Sequence, residues 1–326
     1  MKRLSSMSRE RRTQIGRFME KVGPFTALVV LGVIFTLVNP RFILPINLVS
    51  IIRQAAIYVI LAVGMTFVIT GAGIDLSIGS MLAVCTCVAG ALLKDYGWPL
   101  VPVIFLTLGL GTGIGLINGF IITRLFLPPF IATLGMMVAL RGVALVHSSG
   151  RIYHAFPASL LTLGRGMIFG VLPAPIAIAF AVVFIGYILF AWTEFGRYCM
   201  AIGGNKEAAR LAGINIYRFE TLNYALMGFL AAFAGIVLMG RIDSAQAIIG
   251  TNMEIHTIAA VIIGGTSLFG GRGSIGGSVI GAVILAVIAN GLILAGVSFF
   301  WQQVVTGLII ILAVTLSIFR ERYFYV

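Results

Sequence analysis

The sequence predicts an all-α, polytopic membrane protein of about ten transmembrane helices, with broken or re-entrant segments and a weak internal repeat. Three observations carry this. Hydrophobic residues make up 60% of the chain and charged residues 10%, against about 25% charged in a soluble domain. The mean hydropathy is +1.10. A Gly-rich loop, GAGIDLSIGS at 71–80, stands between the apolar runs 55–70 and 81–93. Non-helical backbone at membrane depth is tolerated only where it is buried in protein or lines a cavity. Discontinuous helices of this kind border the passage sites of transporters.

The apolar stretches fall at 24–38, 55–70, 80–93, 100–122, 130–146, 174–192, 221–240, 255–269, 275–295 and 299–318. Several are short against the roughly 20 residues that one span needs, which points again to interrupted helices. A chain of 326 residues has no room beside them for a soluble domain of about 100 residues. We therefore read 1–326 as one transmembrane domain, and any ATP hydrolysis linked to it as the work of another chain.

The formal net charge of +12 could suggest nucleic acid, but its distribution argues against that partner. Seven basic residues crowd the segment 1–23: Lys2, Arg3, Arg9, Arg11, Arg12, Arg17 and Lys21. This is the pattern of a cytosolic anchor under the positive-inside rule. It also resembles a signal-peptide n-region, but 25–38 lacks a clear small-residue cleavage site and further spans follow. With the amino terminus in the cytosol, fifteen Lys and Arg fall in cytosolic segments and six on the opposite side. That asymmetry supports an even number of spans and two cytosolic termini. Residues 147–173 then lie outside. Residues 193–220 lie inside and form a polar, basic loop with helix-forming character at KEAARLA.

The chain repeats itself weakly. VITGAGIDLSIGS at 68–80 and VIIGGTSLFGGRGSIGGS at 261–278 both place an apolar span, a Gly-rich break, an Ile-Gly pair and a new apolar span in order. Matching broken helices in two halves suggest a substrate path at their interface.

Asp75 and Arg141 are the candidate intramembrane charges, and such groups are expensive in hydrocarbon. Asp75 and Ser77 can cap the helix that follows them, or border a path directly. Arg141 can snorkel to the surface, or pair with Asp75 or a polar substrate. Asn118, Thr133, Asn290, Gln302 and Gln303 either bond between helices or offer neutral partners to an uncharged polyol. Phe130, Phe299, Phe300 and Trp301 either supply faces for a sugar or anchor at the interface. Cys85 and Cys87 face about 200° apart on a helix and, with Cys199, read as small packing residues. His147, His154 and His256 form no metal pattern, and GGTSLFGGRGS lacks the Lys-Ser/Thr ending of a phosphate-binding loop. In the inside loop, Asn205 can cap a short helix that displays Lys206, Glu207 and Arg210 and ends at Gly213.

Four stretches together resemble the ribose-type permeases of bacterial monosaccharide ABC importers. They are GMTFVITGAGIDLSIGSMLAV at 64–84, FIATLGMMVALRG at 130–142, FGRYCMAIGGNKEAARLAGI at 195–214 and AAVIIGGTSLFGGRGSIGGSVIGA at 259–282. The resemblance implies a multi-pass subunit of the bacterial inner membrane, without its own ATPase site. It implies a second permease copy or paralogue, a periplasmic sugar-binding protein, and a cytosolic ATPase subunit that holds ATP and Mg while this chain carries no cofactor. In that family the GGN-EAA-like segment docks on the ATPase, here Gly203, Gly204, Asn205, Glu207, Ala208, Ala209, Arg210 and Gly213. The sugar stays open: ribose, allose, xylose, other pentoses and hexoses, and inositol are handled by similar permeases. The competing reading is an ion- or proton-coupled secondary transporter with Asp75 as its coupling carboxylate. An intramembrane enzyme would need a catalytic pair that the sequence does not display, and a channel would not need the docking-type loop.

Overall fold

Each expected span overlaps a helix in the computed structural model, which describes residues 9–324. The side chains of 9–22, 313, 316, 317 and 320–324 lie outside that description. So do Lys2 and Arg3, and with them the test of the basic tail.

Helix α1 (Arg9–Val38) leads through a short 3-10 turn at Pro40–Ile43 into α2 (Pro45–Thr70). Then follow α3 (Ile78–Lys94), α4 (Leu100–Arg124) and α5 (Pro129–Ser148). The loop expected at 147–173 is structured. It carries strand β1 (Tyr153–His154), helix α6 (Ala158–Arg165) and the strands β2 (Met167–Ile168) and β3 (Leu172–Pro173). Helix α7 (Ala174–Trp192) is followed by α8 (Glu194–Gly204) and α9 (Lys206–Leu211). The chain continues through α10 (Ile216–Ile242), strand β4 (Ser244–Ala245), α11 (Met253–Ile263), α12 (Ile275–Leu294) and α13 (Phe299–Phe324).

The all-α fold class holds, and the connections add two short ribbons: β1 pairs antiparallel with β4, and β2 with β3. These ribbons satisfy main-chain groups in connections too irregular for a helix. The stretch expected at 255–269 is helical only to Ile263. Eleven residues of helix rise about 16 Å, against a hydrocarbon core of about 30 Å. Helix α11 is therefore a half-helix, and the connection at 246–252 enters the protein to meet it. Among the described residues, six helices (α2, α4, α5, α7, α10 and α12) are long and apolar enough to cross a membrane.

The core forms around α2 and α10, the most buried of these spans. Helix α10 lies on α4 at backbone distance because α4 offers Gly111, Gly115 and Gly119 at four-residue spacing. A Cβ on Gly115 would strike the Tyr224 carbonyl, and one on Gly119 would meet Thr221 Cα at 2.6 Å. Gly113, on the other face, has open space. Where lipid tails are as apolar as Leu, small residues repeated in this way let helices associate through dispersion contacts.

The connections segregate to two faces. One face carries β1–β4, with Lys94 Nζ donating to Ala155 O at 2.9 Å and Arg151 paired with Asp95 at 3.1 Å. The opposite face carries α8, α9 and the connections α2–α3, α4–α5 and α11–α12.

Candidate gate and coupling segment

The two Gly-rich breaks stop their helices by the same device. At the end of α2, Ala72 N donates to Ile69 O and Gly73 N to Val68 O, each at 2.9 Å. At the end of α11, Gly265 N donates to Ile262 O at 2.9 Å and Thr266 N to Val261 O at 3.2 Å. Both are Schellman closures with the pivot residue in the left-handed region: Ala72 at φ 61° and Gly265 at φ 96°. The residues fall in the register of the sequence repeat, Val68–Gly73 on Val261–Thr266. The two ends also touch, since Gly271 N donates to Thr70 O at 2.8 Å and Thr66 Oγ1 to Ser278 Oγ at 2.7 Å.

The returning helices start differently. Ser274 caps α12 through Gly277 N at 3.1 Å. Ser77 occupies the same place before α3 but makes no side-chain cap, which corrects the expectation for it. Its hydroxyl is taken by Asp75: Asp75 Oδ1 accepts from Ser77 Oγ at 2.6 Å and from Ser77 N at 2.8 Å. Asn118 Nδ2 on α4 then donates to Ser77 Oγ at 2.8 Å. Thr133 Oγ1 on α5 and the Tyr224 hydroxyl on α10 both donate to Ile74 O, at 3.3 and 3.4 Å. Asp75, Ser77, Asn118 and Thr133 are fully buried. Three helices thus hold one short irregular stretch, 74–77, through neutral donors.

Four further candidates lie elsewhere. Arg141 makes no pair with Asp75. Its Nη1 donates to Ala247 O at 2.5 Å and to Ile249 O at 2.9 Å, which fastens the inward connection before α11. Its charged neighbour is Glu254 in the first turn of α11. Asn290 bonds reciprocally with Asn47 at 2.9 Å, joining α12 to α2. Gln302 Nε2 donates to Val297 O at 2.8 Å just before α13. Phe130 faces outward, as do Phe299, Phe300 and Trp301.

The segment 193–220 resolves into α8, α9 and the first turn of α10. Asn205 caps α9, accepting from Ala208 N at 2.9 Å. Gly213 ends it at φ 84° with another Schellman closure, Gly213 N to Arg210 O and Ile214 N to Ala209 O. Glu207 and Arg210 are exposed and form a two-bonded pair at 2.6 and 3.1 Å. The Arg210 guanidinium holds the Glu207 carboxyl below its ordinary range. Ala209 is buried against Ile202, Ile214, Ile216 and Phe219, so α9 has a firm seat. Lys206 is tied to Glu220 of α10 at 2.7 Å.

A cavity of about 390 Å³ opens among the first break, the α4–α5 connection and α8–α9. Gly71–Gly73 line one side, Phe126–Pro129 a second, and Gly203–Lys206 with Glu220, Asn223 and Tyr224 the third. Glu220, Asn223, Tyr224 and Glu254 escaped the sequence reading. Glu220 and Glu254 each stand one residue before an expected span (221–240 and 255–269). Extending those spans by a turn would have exposed two more acids at the edge of the apolar zone. Among the described residues, no group of three or more His, Cys, Asp or Glu could hold a metal ion.

Broken helices that meet at paired Gly-rich ends, with an exposed capped helix below them, define a polytopic permease. Residues 47–314 match the sequence family described as branched-chain amino acid transport system / permease component, and the chain belongs to that family. It is 41% identical to the ribose import permease protein RbsC of Bacillus subtilis, over 97% of this chain and 98% of that one. The corresponding Escherichia coli K12 protein is 41% identical, over 91% of this chain and 92% of its own. The xylose transport system permease protein XylH of the same organism is 35% identical, over 85% and 86%. No solved structure matches. The chain is thus a transport-system permease component and a multi-pass protein of the bacterial inner membrane.

Proposed function

We propose that the chain is the membrane subunit of an ATP-binding cassette importer that translocates a monosaccharide, a ribose-like pentose or a hexose. The observation that carries this is the end-to-end similarity to permeases named for ribose and xylose import. It favours a sugar over the branched-chain amino acids in the family's description. The neutral donors around Asp75, and a cavity whose amide, hydroxyl and main-chain groups stand beside a Lys206–Glu220 pair that neutralises its own charge, suit an uncharged polyhydroxyl cargo. A periplasmic binding protein delivers the sugar to the β1–β4 face. A cytosolic ATPase holds ATP and Mg and docks on Gly203–Gly213, with Asn205, Glu207, Ala208 and Arg210 as the presented residues. Both termini lie in the cytosol, and a second permease copy or paralogue completes the path. Asp75 bonds locally rather than facing an ion route, so ion coupling is not the favoured reading.

The test is reconstitution in proteoliposomes with the ATPase and the binding protein. ATP-dependent uptake of labelled ribose or xylose is expected. Uptake driven by a proton gradient without the ATPase would refute the proposal.

A further inference from the structure

The end of α8 touches both breaks through backbone. A Cβ on Gly203 would strike Thr70 O and also meet Gly271 N at 2.6 Å. Those two atoms belong to groups already bonded to each other, Gly271 N to Thr70 O at 2.8 Å. Beside them, a Cβ on Gly270 would meet Ala72 Cβ at 2.8 Å and Gly203 O at 2.9 Å. Inside the same junction, the buried Thr66–Ser278 bond of 2.7 Å ties α2 to α12. The first break, the second break and the coupling segment therefore meet without side chains between them.

The other side of the coupling segment is different. There the 390 Å³ cavity intervenes between α8–α9 and the connection of α4 to α5. At the cavity's edge stands the Lys206–Glu220 pair at 2.7 Å, with the Lys206 side chain 61% exposed. Close-packed atoms transmit a displacement because protein interiors compress little. A cavity absorbs it, and the pair beside it is open to water at its Lys206 end, where solvent screens the attraction.

We propose that Gly203, Thr70 and Gly271 are the positioning contact through which movement of α8–α9 reaches the pathway. The two breaks then shift as one piece, and the Lys206–Glu220 edge of the cavity changes its width in each cycle. This rests on the reading of α8–α9 as the surface that an ATPase grips.

The test uses the full importer in proteoliposomes. Gly203→Ala should lower sugar uptake and binding-protein-stimulated ATP hydrolysis about tenfold or more, while as much ATPase co-purifies as with the wild type. Gly276→Ala, at a position with nothing within 4 Å of the added Cβ, should keep uptake within about twofold. A second variant avoids the crowded junction. Lys206→Cys with Glu220→Cys, joined by a short reducible thiosulfonate linker, should lose uptake and regain it on reduction; the three native cysteines are buried. Normal uptake in Gly203→Ala, or uptake that persists with the linker in place, overturns the proposal while leaving the importer reading intact. Absence of ATP-dependent uptake by the wild-type complex overturns both.

Discussion

Asp75 and Ser77 form a closed pair: one carboxylate oxygen accepts both the Ser77 hydroxyl, at 2.6 Å, and the Ser77 amide, at 2.8 Å. The interaction uses Oδ1 alone, and Oδ2 has no partner among the described residues. Asp75→Asn keeps the accepting oxygen and should retain uptake and fold. Asp75→Ala strands two buried donors and should cost about 1–3 kcal/mol, read as a lower melting temperature in detergent. If Asp75→Asn abolished uptake while folding normally, a charge-carrying role would have to be restored.

Replacing Glu207 or Arg210 should cut uptake while membrane insertion stays normal, because both side chains are exposed and neither supports the core. Normal uptake together with normal stimulation of ATP hydrolysis in both variants would contradict the docking role.

The same pair fixes a pH expectation. Its hydrogen bonds from Arg210 lower the Glu207 pKa below the ordinary 4.5. A carboxylate depressed in the folded state contributes stability above its unfolded pKa and loses it as pH falls through the folded value. Uptake should therefore show no step from this pair between about pH 5 and 8. A pH titration of wild type against Glu207→Gln checks this. A step near neutral pH that vanishes in the variant would refute it.

Arg141→Met should destabilise the fold by about 2–4 kcal/mol, since it removes two charge-assisted bonds and leaves Ala247 O and Ile249 O without their donor. Arg141→Lys should recover part of that loss, because one ammonium can reach one carbonyl. Thermal unfolding of the three proteins orders them. Equal melting temperatures would place Arg141 outside the support of the inward connection.

Asn47 and Asn290 are reciprocal partners, so a double-mutant cycle to Leu should return a coupling of about 0.6–1.7 kcal/mol. A coupling near zero would mean that the pair contributes nothing between α2 and α12.

Much of the architecture was readable before folding. The apolar runs placed the spans, the Gly-rich stretches placed the breaks, and Asn205 and Gly213 bounded α9, because each signal is local in the chain. Partners were not readable. Arg141 lies on α5 while its acceptors lie before α11, and no local signal pairs 141 with 247 and 249. Asn290 was legible as a polar group able to bond between helices, but nothing local named Asn47 as its partner. Ser77 looked like a cap until Asp75 claimed its hydroxyl. Glu220 and Glu254 were hidden by span boundaries drawn one residue too late.

The amino-acid order alone settled membrane residence, the placing of the apolar runs and the Gly-rich breaks between them, since hydropathy and backbone freedom act over a few neighbouring residues. Only the packed chain decided that both stops would share one junction and that a short helix would rest on it. Those contacts join residues some 70 to 200 positions apart. Whether two such segments meet depends on how closely glycine-lined helices approach, a property of surfaces in contact rather than of any one stretch of sequence.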